Sequence, residues 1–369
     1  MLKIQHKIKE SAVKNALARR VKIALDEKLF PGCVIGVVNR RGLRLVAPFG
    51  KYRYKIFSKS IREDSVFDVA SITKAIPLAM VTLVLAEQTK LSLDDPIVSY
   101  IPDFDTSPEK RKVTIRHLIT NTLDLNVPAL SSMKDAAPHF MVKRVCEAPL
   151  ATPPGNVYKY TNASSLLLSL CIMKAVPQSL GVLAKSLLFD HLGMKSSTFD
   201  VRMNRLETSG RIVPTEIDPW RKRELRGEVQ DESTYILQRL YGKNCIGNAG
   251  LFSTVPDLLT FVEMLLNGGT FHGHTYFSEN MVTAMHTNHF PKADGSGGLG
   301  FALYPQDYMG TRGNKYMFGK TGFAGTMIVL DRAKERGLVI LSNYHYPHRK
   351  KNLEPNRVFR ADICNIVFA

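Results

Sequence analysis

The sequence predicts an α+β fold, in which an antiparallel sheet is flanked by N- and C-terminal helices and carries an inserted all-helical domain. The first observation is that β-like runs cluster at both ends of the chain, where residues 33–39 with 43–47 and residues 327–331 with 337–342 have the pattern of hairpins. The second is that apolar helical runs and loops rich in Pro, Asp and Ser fill the middle, from about residue 75 to residue 241. The two ends are therefore expected to build one sheet, covered by the first and last helices.

The N-terminal elements follow in order. Val13, Leu17 and Val21 recur at helical spacing and predict a first helix over residues 11–27. The turn Arg40-Arg41-Gly42 then closes the first hairpin.

Chain length predicts two domains, because 369 residues exceed a typical single core of about 100 to 200 residues. We assign the sheet domain to residues 1–74 and 242–369, and the inserted helical domain to residues 75–241. This arrangement would let residues that are far apart in the sequence meet at one site.

The chain is strongly basic, with a formal net charge of +17, whereas 44% hydrophobic and 22% charged residues are ordinary for a globular protein. Basic surfaces attract anionic substrates, membranes or nucleic acid, but no nucleic-acid motif accompanies the charge, so we expect no nucleic-acid partner. There is no glycine-rich phosphate loop, and no histidine pair has a carboxylate at metal-ligand spacing. We therefore expect no cofactor and no metal.

Five cysteines without CxxC pairing are typical of a reducing compartment. Residues 1–20 contain no apolar run of signal-peptide length, and no stretch reaches about 18 uncharged apolar residues, so we expect a cytoplasmic protein without a transmembrane segment. Docking of the basic first helix on an anionic membrane is an alternative, but packing on the sheet explains its apolar face better. Its basic residues are Lys3, Lys7, Lys9, Lys14, Arg19, Arg20 and Lys22.

A serine with a lysine three residues later is a candidate nucleophile, because acyl transfer to serine needs a hydroxyl with an amine one helical turn away. The pattern occurs four times, at Ser11, Ser71, Ser107 and Ser131. Only Ser71, in Ser71-Ile72-Thr73-Lys74, lies between a short β-like run and a long apolar helical run. That context places Ser71 near a helix N-terminus, where N–H groups and the helix dipole stabilise an oxyanion, with Lys74 on the same face.

Two further motifs supply a phenol and a second cation. The only Tyr-x-Asn in the chain is Tyr160-Thr161-Asn162, which follows a Pro-Pro-Gly turn. The third motif, Lys320-Thr321-Gly322, precedes a β-like stretch, and a glycine at 322 would let substrate backbone lie against an edge strand. Taken alone, these motifs indicate a buried polar pair and a glycine-rich hairpin. Together with Ser71 and Lys74, they predict an acyl-transfer site.

With these three motifs the sequence resembles the serine β-lactamase and penicillin-binding-protein superfamily, most of all its class C-like branch, which includes D-alanyl-D-alanine peptidases and carboxylesterases. The resemblance covers roughly residues 30 to 345, and further segments that carry it are residues 30–38, 91–96, 250–254 and 341–347. It implies a β-lactamase/transpeptidase-like fold with the active cleft between the sheet domain and the helical domain.

One loop departs from the family pattern. After Thr114-Ile115-Arg116-His117-Leu118 the family usually reads His-Thr-Ser-Gly-Leu, whereas this chain reads Asn121-Thr122-Leu123-Asp124-Leu125. None of these residues is an attacking or proton-transferring group. The departure therefore bears on substrate choice more than on the reaction type.

The group chemistry predicts Ser71 as the nucleophile, activated by a base because an unperturbed serine attacks poorly. Lys74 and Tyr160 are both candidates for the base, since neighbouring cations make either kind of group lose its proton more readily. The resemblance implies an oxyanion site at the N–H groups of Ser71 and Phe323. Asn162 is expected to orient the substrate amide or Lys74. Lys320 and Thr321 are expected to hold an anionic group of the substrate. Gly322 and Phe323 are also expected to bind substrate.

The substrate stays open between alternatives. A lysine in the third motif is typical of β-lactamases and D-alanyl peptidases, which favours a small carboxylate-bearing amide or lactam. The missing export signal favours a broader serine hydrolase of esters or amides, because cell-wall peptides are trimmed outside the membrane. We favour the broader hydrolase over a true β-lactamase or carboxypeptidase, and either enzyme over a non-catalytic penicillin-binding-protein-like scaffold or binding protein.

Overall fold

A six-stranded antiparallel sheet joins the two ends of the chain. The structure, a computed structural model, describes residues 2–202, 205–293 and 297–369, and the side chains from Ser11 onward in these ranges. The strands are β1 (Gly32–Asn39), β2 (Arg44–Gly50), β3 (Phe67–Asp68), β4 (Glu216–Asp218), β5 (Arg223–Leu225), β6 (Phe252–Ser253), β7 (Thr270–Phe271), β8 (His274–Thr275), β9 (Ala302–Leu303), β10 (Met317–Thr321), β11 (Met327–Asp331) and β12 (Arg336–Ser342).

Most of the helices lie between β3 and β9 in the chain. They are α1 (Leu2–Asp26), α2 (Met80–Glu87), α3 (Ile115–Ile119), α4 (Pro138–Glu147), α5 (Asn162–Ala175), α6 (Leu180–Ala184), α7 (Asp190–Leu192), α8 (Glu232–Tyr241), α9 (Val255–Leu266), α10 (Glu279–Met285) and α11 (Glu354–Val367). Short 3₁₀ and π turns connect several of them, and the turn at Ala70–Lys74 carries the first motif.

The sheet has the strand order β2-β1-β12-β11-β10-β9. β1 and β12 are central neighbours and pair antiparallel from Cys33 with Ser342 to Asn39 with Arg336. β11 and β12 are buried along nearly their whole length, and β-branched and other apolar residues dominate both. The predicted α+β fold, with one sheet built from both chain ends, is confirmed.

The first helix packs on the sheet as predicted from its apolar face. Leu17 and Val21 of α1 are fully buried there, in a cluster shared with α11. The side chains of Lys3, Lys7 and Lys9, named above as candidate membrane contacts, lie outside the described residues.

The opposite face of the sheet is covered by α9, which packs on β1 and β12. A Cβ atom at Gly36 of β1 would lie 2.3 Å from Cγ1 of Val255, so a glycine is needed for the helix to come this close. Together, α1 and α11 on one side and α9 on the other make the sheet a central layer.

The middle of the chain is helical, as predicted. Buried side chains of α2 to α8 form one continuous apolar cluster with the α9-covered face of the sheet. Because the core continues from one part to the other, the domain boundaries at residues 74/75 and 241/242 stay a prediction.

Within the described ranges, the segment Ala70–Glu87 is long and apolar enough to cross a membrane, and 83% of it is buried inside the protein. The pair Asn162–Ala175 and Leu180–Leu192 has the required length and composition only if the two helices, bent by 81°, are counted as one span. Core helices of soluble proteins share this composition, so length and composition alone are weak evidence for a membrane span.

Candidate active site

Ser71 lies on a tight turn immediately after β3. Ala70 has a φ of 49°, a left-handed conformation that is unfavourable for a residue with a side chain. The buried carboxylate of Asp68 holds this turn, because its Oδ1 accepts a hydrogen bond from the N–H of Ala70 (2.8 Å) and its Oδ2 accepts one from the N–H of Gln230 (2.8 Å). Ser71 is half-buried, whereas the other residues of this turn are buried.

Lys74 lies one turn further along and is almost fully buried. Its Nζ donates to Oγ of Ser71 (3.1 Å) and to the carbonyl oxygen of Asn248 (2.6 Å). The carbonyl acceptor fixes the amine in direct contact with the serine hydroxyl. The first motif therefore has the geometry of a nucleophile and a proton acceptor or donor.

Tyr160 lies beside both lysines. The centre of its ring is 5.2 Å from Nζ of Lys74 and 4.3 Å from Nζ of Lys320. Tyr160 is 42% exposed as a residue, yet its hydroxyl group is closely surrounded, and Ser71 and Lys74 are among the groups near enough to shift its pKa. Burial raises the pKa of Tyr160, but the two ammonium groups and the hydroxyl group of Ser71 outweigh burial, and the net pKa is lowered.

Lys320 extends from β10 into the same site and is 4% exposed. Burial lowers the pKa of Lys320 to about 8; Tyr160 opposes this shift and Lys74 adds to it. Among the residues that the structure describes, β10 pairs on its outer side with β9 only at Phe318 and Gly319, so the edge at Lys320 and Thr321 has no partner strand there. An unpaired strand edge next to a serine nucleophile can bind an extended substrate by backbone hydrogen bonds.

Gly322 brings the end of β10 against the nucleophile turn. A Cβ atom at this position would lie 2.1 Å from Oγ1 of Thr326 and 2.4 Å from the carbonyl oxygen of Val69. Oγ1 of Thr326 donates to that same carbonyl oxygen (2.8 Å), and Nη2 of Arg360 donates to the carbonyl oxygens of Gly322 and Thr326 (2.8 Å each). The glycine is thus required by the protein's own turn, whatever contact it makes with substrate.

We expect Gly322→Ala to lower the free energy of unfolding by about 1–3 kcal/mol, because the added methyl group overpacks a buried contact. It should also displace Lys320 relative to Ser71 and slow acylation. Thermal unfolding measures the loss of stability, and the rate of covalent labelling by a fluorophosphonate, a reagent that reacts with activated serines, measures the slower acylation. Gly242→Ala is the matched control: its φ is 86°, but nothing lies within 4 Å of the added Cβ, so it should cost stability without slowing labelling. Equal labelling rates for the two variants would contradict the prediction.

Phe323 follows the glycine and is 42% exposed at the entrance of the site. Its ring stacks on His345, with 4.1 Å between ring centroids, and the guanidinium of Arg349 lies 5.3 Å from its centre on the aromatic face. Arg349 is itself paired with Glu216 and Glu232. These contacts hold the residue whose N–H group was predicted to bind an oxyanion.

Asn162 begins α5, and its side-chain amide donates to Oδ2 of Asp231 (3.0 Å) and to Oγ of Ser233 (3.1 Å). Burial raises the pKa of Asp231, but Lys74 and hydrogen bonds from Ser233 and Thr234 outweigh burial, and the net pKa is lowered. The amide nitrogen of Asn162 is thus engaged with an acid that faces Lys74. An action of Asn162 on the substrate amide or on Lys74 stays a prediction.

The loop that departs from the family pattern lies beside these residues. Asn121 has a φ of 57°, and its carbonyl oxygen accepts from the N–H of Lys159 (2.7 Å), next to Tyr160. Asn121 also lines a small cavity together with Lys74 and Lys320. Asparagine tolerates a positive φ better than most residues, so its presence suits this conformation.

The structure thus brings the three motifs into one site and adds residues that the motifs did not reveal. The added residues are Asp68, Asp231 and the backbone of Asn248. Asp231 carries a sequence signal for a helix N-cap, because it precedes α8 and its side chain accepts from the N–H of Thr234. No signal in the sequence connected it, or Asp68, to the serine.

Known proteins resemble this chain over most of its length. A putative D-alanyl-D-alanine carboxypeptidase of Escherichia coli (strain K12) is 28% identical over 324 residues, which cover 79% of this chain and 72% of the relative. Among solved structures, EstCE1, a hydrolase with promiscuous acyltransferase activity, superposes with a TM-score of 0.76 at 17% identity, over 98% of this chain and 100% of the other. A class C β-lactamase from Rhodobacter sphaeroides gives a TM-score of 0.70 at 21% identity, over 96% and 100% of the two chains.

At these identities the solved structures show the shared fold and leave the substrate open. The family model described as Beta-lactamase matches residues 16–362, nearly the whole chain, including all three motifs. The protein therefore belongs to the beta-lactamase family, as the resemblance in its motifs predicted.

Proposed function

We propose that this protein is a serine hydrolase that acts on ester or amide substrates through an acyl-enzyme, with Ser71 as the nucleophile. The observation that carries the proposal is the distance of 3.1 Å between Nζ of Lys74 and Oγ of Ser71, next to the hydroxyl group of Tyr160. A serine at its ordinary pKa needs such a base to attack a carbonyl carbon. The family, whose members include hydrolases, supports the reaction class.

In the acylation step, Oγ of Ser71 bonds to the substrate carbonyl carbon while its proton passes to Lys74 or Tyr160. The tetrahedral oxyanion would lie between the N–H groups of Ser71 and Phe323. The bond from the carbonyl carbon to the leaving group then breaks, and the leaving group takes the proton from the same base. Water then attacks the acyl carbon and gives its proton to the same base. The bond from this carbon to Oγ of Ser71 breaks, and the base returns the proton to Oγ, which releases the acid and restores the serine.

Substrate recognition would use the β10 edge. Lys320 and Thr321 supply a cation and a hydroxyl group at an unpaired strand edge, which suits a carboxylate on an extended amide, ester or lactam. The similar proteins include a putative carboxypeptidase, a β-lactamase and a hydrolase with acyltransferase activity, and each of these activities involves an acyl group. A small-molecule acyl substrate is common to all of them.

Intact-mass spectrometry tests the proposal directly. The protein is mixed separately with a penicillin, a D-Ala-D-Ala peptide and short-chain p-nitrophenyl esters. A mass increase that corresponds to the acyl group is expected for the intact protein, and after digestion for the peptide that contains Ser71. Turnover of p-nitrophenyl esters without turnover of nitrocefin would assign an esterase, and turnover of nitrocefin a β-lactamase. A folded protein that gives no adduct and no labelling by a fluorophosphonate would overturn the proposal and leave a scaffold or binding role.

The role proposed for Lys320 predicts how substrate binding depends on pH. Because the pKa of Lys320 is about 8, its ammonium is charged at pH 7 and largely neutral above pH 9. The KM of a carboxylate-bearing substrate should therefore rise about tenfold from pH 7 to pH 9.5, since a charge-assisted hydrogen bond is lost. The KM of a neutral p-nitrophenyl ester should stay nearly constant. The same rise for both substrates would argue against a carboxylate contact at Lys320.

A further inference from the structure

A hairpin that precedes the nucleophile in sequence, formed by residues 51–60, has an unusual tip. The N–H of Ser58 donates to the carbonyl oxygen of Lys55 (3.0 Å), and this closes a turn whose central residues are Ile56 and Phe57. Ile56 is 82% exposed and Phe57 is 99% exposed. Turn centres usually carry Gly, Asn, Asp or Pro, and two large apolar side chains in water are unfavourable there.

The hairpin is an ordered element. Lys51 pairs with Ser60 in a β-bridge, and the N–H of Tyr52 donates to the carbonyl oxygen of Lys59 (2.9 Å). At the base, the buried hydroxyl group of Tyr52 donates to the carbonyl oxygen of Arg211 (2.9 Å). Rigid support from the base means that the apolar tip is held away from the protein.

Three lysines lie along the hairpin. Lys51, Lys55 and Lys59 are exposed, and none of them pairs with a carboxylate among the residues that the structure describes. Nζ of Lys51 donates to the carbonyl oxygen of Ile56 (2.7 Å), which places one ammonium group beside the apolar pair. By contrast, Arg53 on the same hairpin is paired with Glu224.

We propose that the hairpin of residues 51–60 docks the protein on an anionic lipid surface. Ile56 and Phe57 enter the boundary between headgroups and acyl chains, while the three lysines contact lipid phosphates. Nζ of Lys51 lies beside the apolar tip, whereas Nζ of Lys59 lies at the base of the hairpin, next to Gly210. The net charge of +17 adds long-range attraction to the same surface. An apolar tip on a hairpin that carries three lysines, none paired with a carboxylate in the described part of the chain, is complementary to this surface.

Co-sedimentation with vesicles tests the proposal. The full-length protein should bind vesicles of phosphatidylglycerol and phosphatidylcholine, bind pure phosphatidylcholine much less, and be released by salt. The variant I56S/F57S should lower the partition coefficient by about tenfold or more, and K55E/K59E should lower it about fivefold or more per lysine. Phe140→Ser is the matched control, because Phe140 is a half-exposed aromatic residue on α4 and should bind like the wild type.

Three results would overturn the proposal. The first is that the wild type does not bind anionic vesicles. The second is that K14E/R19E on α1 abolishes binding that the hairpin variants retain, which would assign docking to the first helix. Light scattering could also show an oligomer that I56S/F57S dissociates without any change in vesicle binding, which would make the tip an interface between copies. Because the substituted side chains are exposed, unchanged thermal unfolding is expected for every variant and separates loss of binding from loss of fold.

Discussion

Replacing Ser71 by alanine should lower the turnover of any substrate by about 10⁴-fold or more and abolish labelling by a fluorophosphonate. The acyl-enzyme on Ser71 cannot form without the hydroxyl group. Fold should be retained, because Ser71 is half-buried and the turn is held by Asp68 and by the backbone instead of by the serine side chain. Steady-state kinetics measure the loss of turnover, and intact-mass analysis measures the loss of labelling.

Ser131→Ala is the matched control for this prediction. Ser131 also precedes a lysine by three residues and also lies in a 3₁₀ turn, Leu130–Met133, but it is exposed. The control should label and turn over substrate like the wild type. Labelling of Ser71→Ala at the wild-type rate would remove Ser71 from the proposed role, and loss of labelling in Ser131→Ala would point to another serine.

The strands and the motif residues were accessible from the sequence because their signals are local. Alternating or continuous apolar runs gave both hairpins, and the observed β11 (Met327–Asp331) has the predicted bounds. Context likewise separated Ser71 from three other serines, since a strand-like run before it and an apolar run after it are visible within twenty residues. The positions of these runs along the chain, with strands at both ends and helices between them, then predicted one sheet with an inserted helical part.

The supporting residues were not accessible because their contacts span most of the chain. Asp68 bonds Gln230 across 162 positions, and Lys74 bonds Asn248 across 174. The left-handed turn at Ala70 also has no local signal, since alanine gives no preference for a positive φ. Such strain is maintained by tertiary contacts, which a single sequence does not reveal.

A glycine was expected to be needed at position 322, but the sequence suggested only part of the reason. The sequence suggested room for substrate along a strand edge. The structure shows that the protein's own Val69 and Thr326 already fill the space where a side chain would be. A close approach of two backbone segments from different ends of the chain produces the same glycine requirement as a ligand would.

Tyr160→Phe is expected to lower kcat on a neutral ester by about 10²- to 10⁴-fold if the phenol transfers the serine proton. The ring, and with it the contact with both ammonium groups, is preserved, so the loss reports the hydroxyl group alone. Tyr158→Phe is the matched control two residues away: burial raises the pKa of Tyr158 to about 12, so it is unsuited to act as a base at neutral pH, and its loss should change kcat little.

The pH profile separates the two candidate bases. Tyr160 can act as the base only when its phenol is deprotonated, so kcat/KM should rise with pH through the pKa of Tyr160. Burial raises this pKa, but Lys74 and Lys320 outweigh burial and hold it below the ordinary value near 10. Lys320→Gln removes one of these two cations, so it should move the acid limb of kcat/KM to higher pH on a neutral ester. If Lys74 is the base, Tyr160→Phe should instead keep an acid limb and Lys74→Met should abolish turnover. An acid limb that Tyr160→Phe leaves unchanged would exclude Tyr160 as the base and leave proton transfer to Lys74.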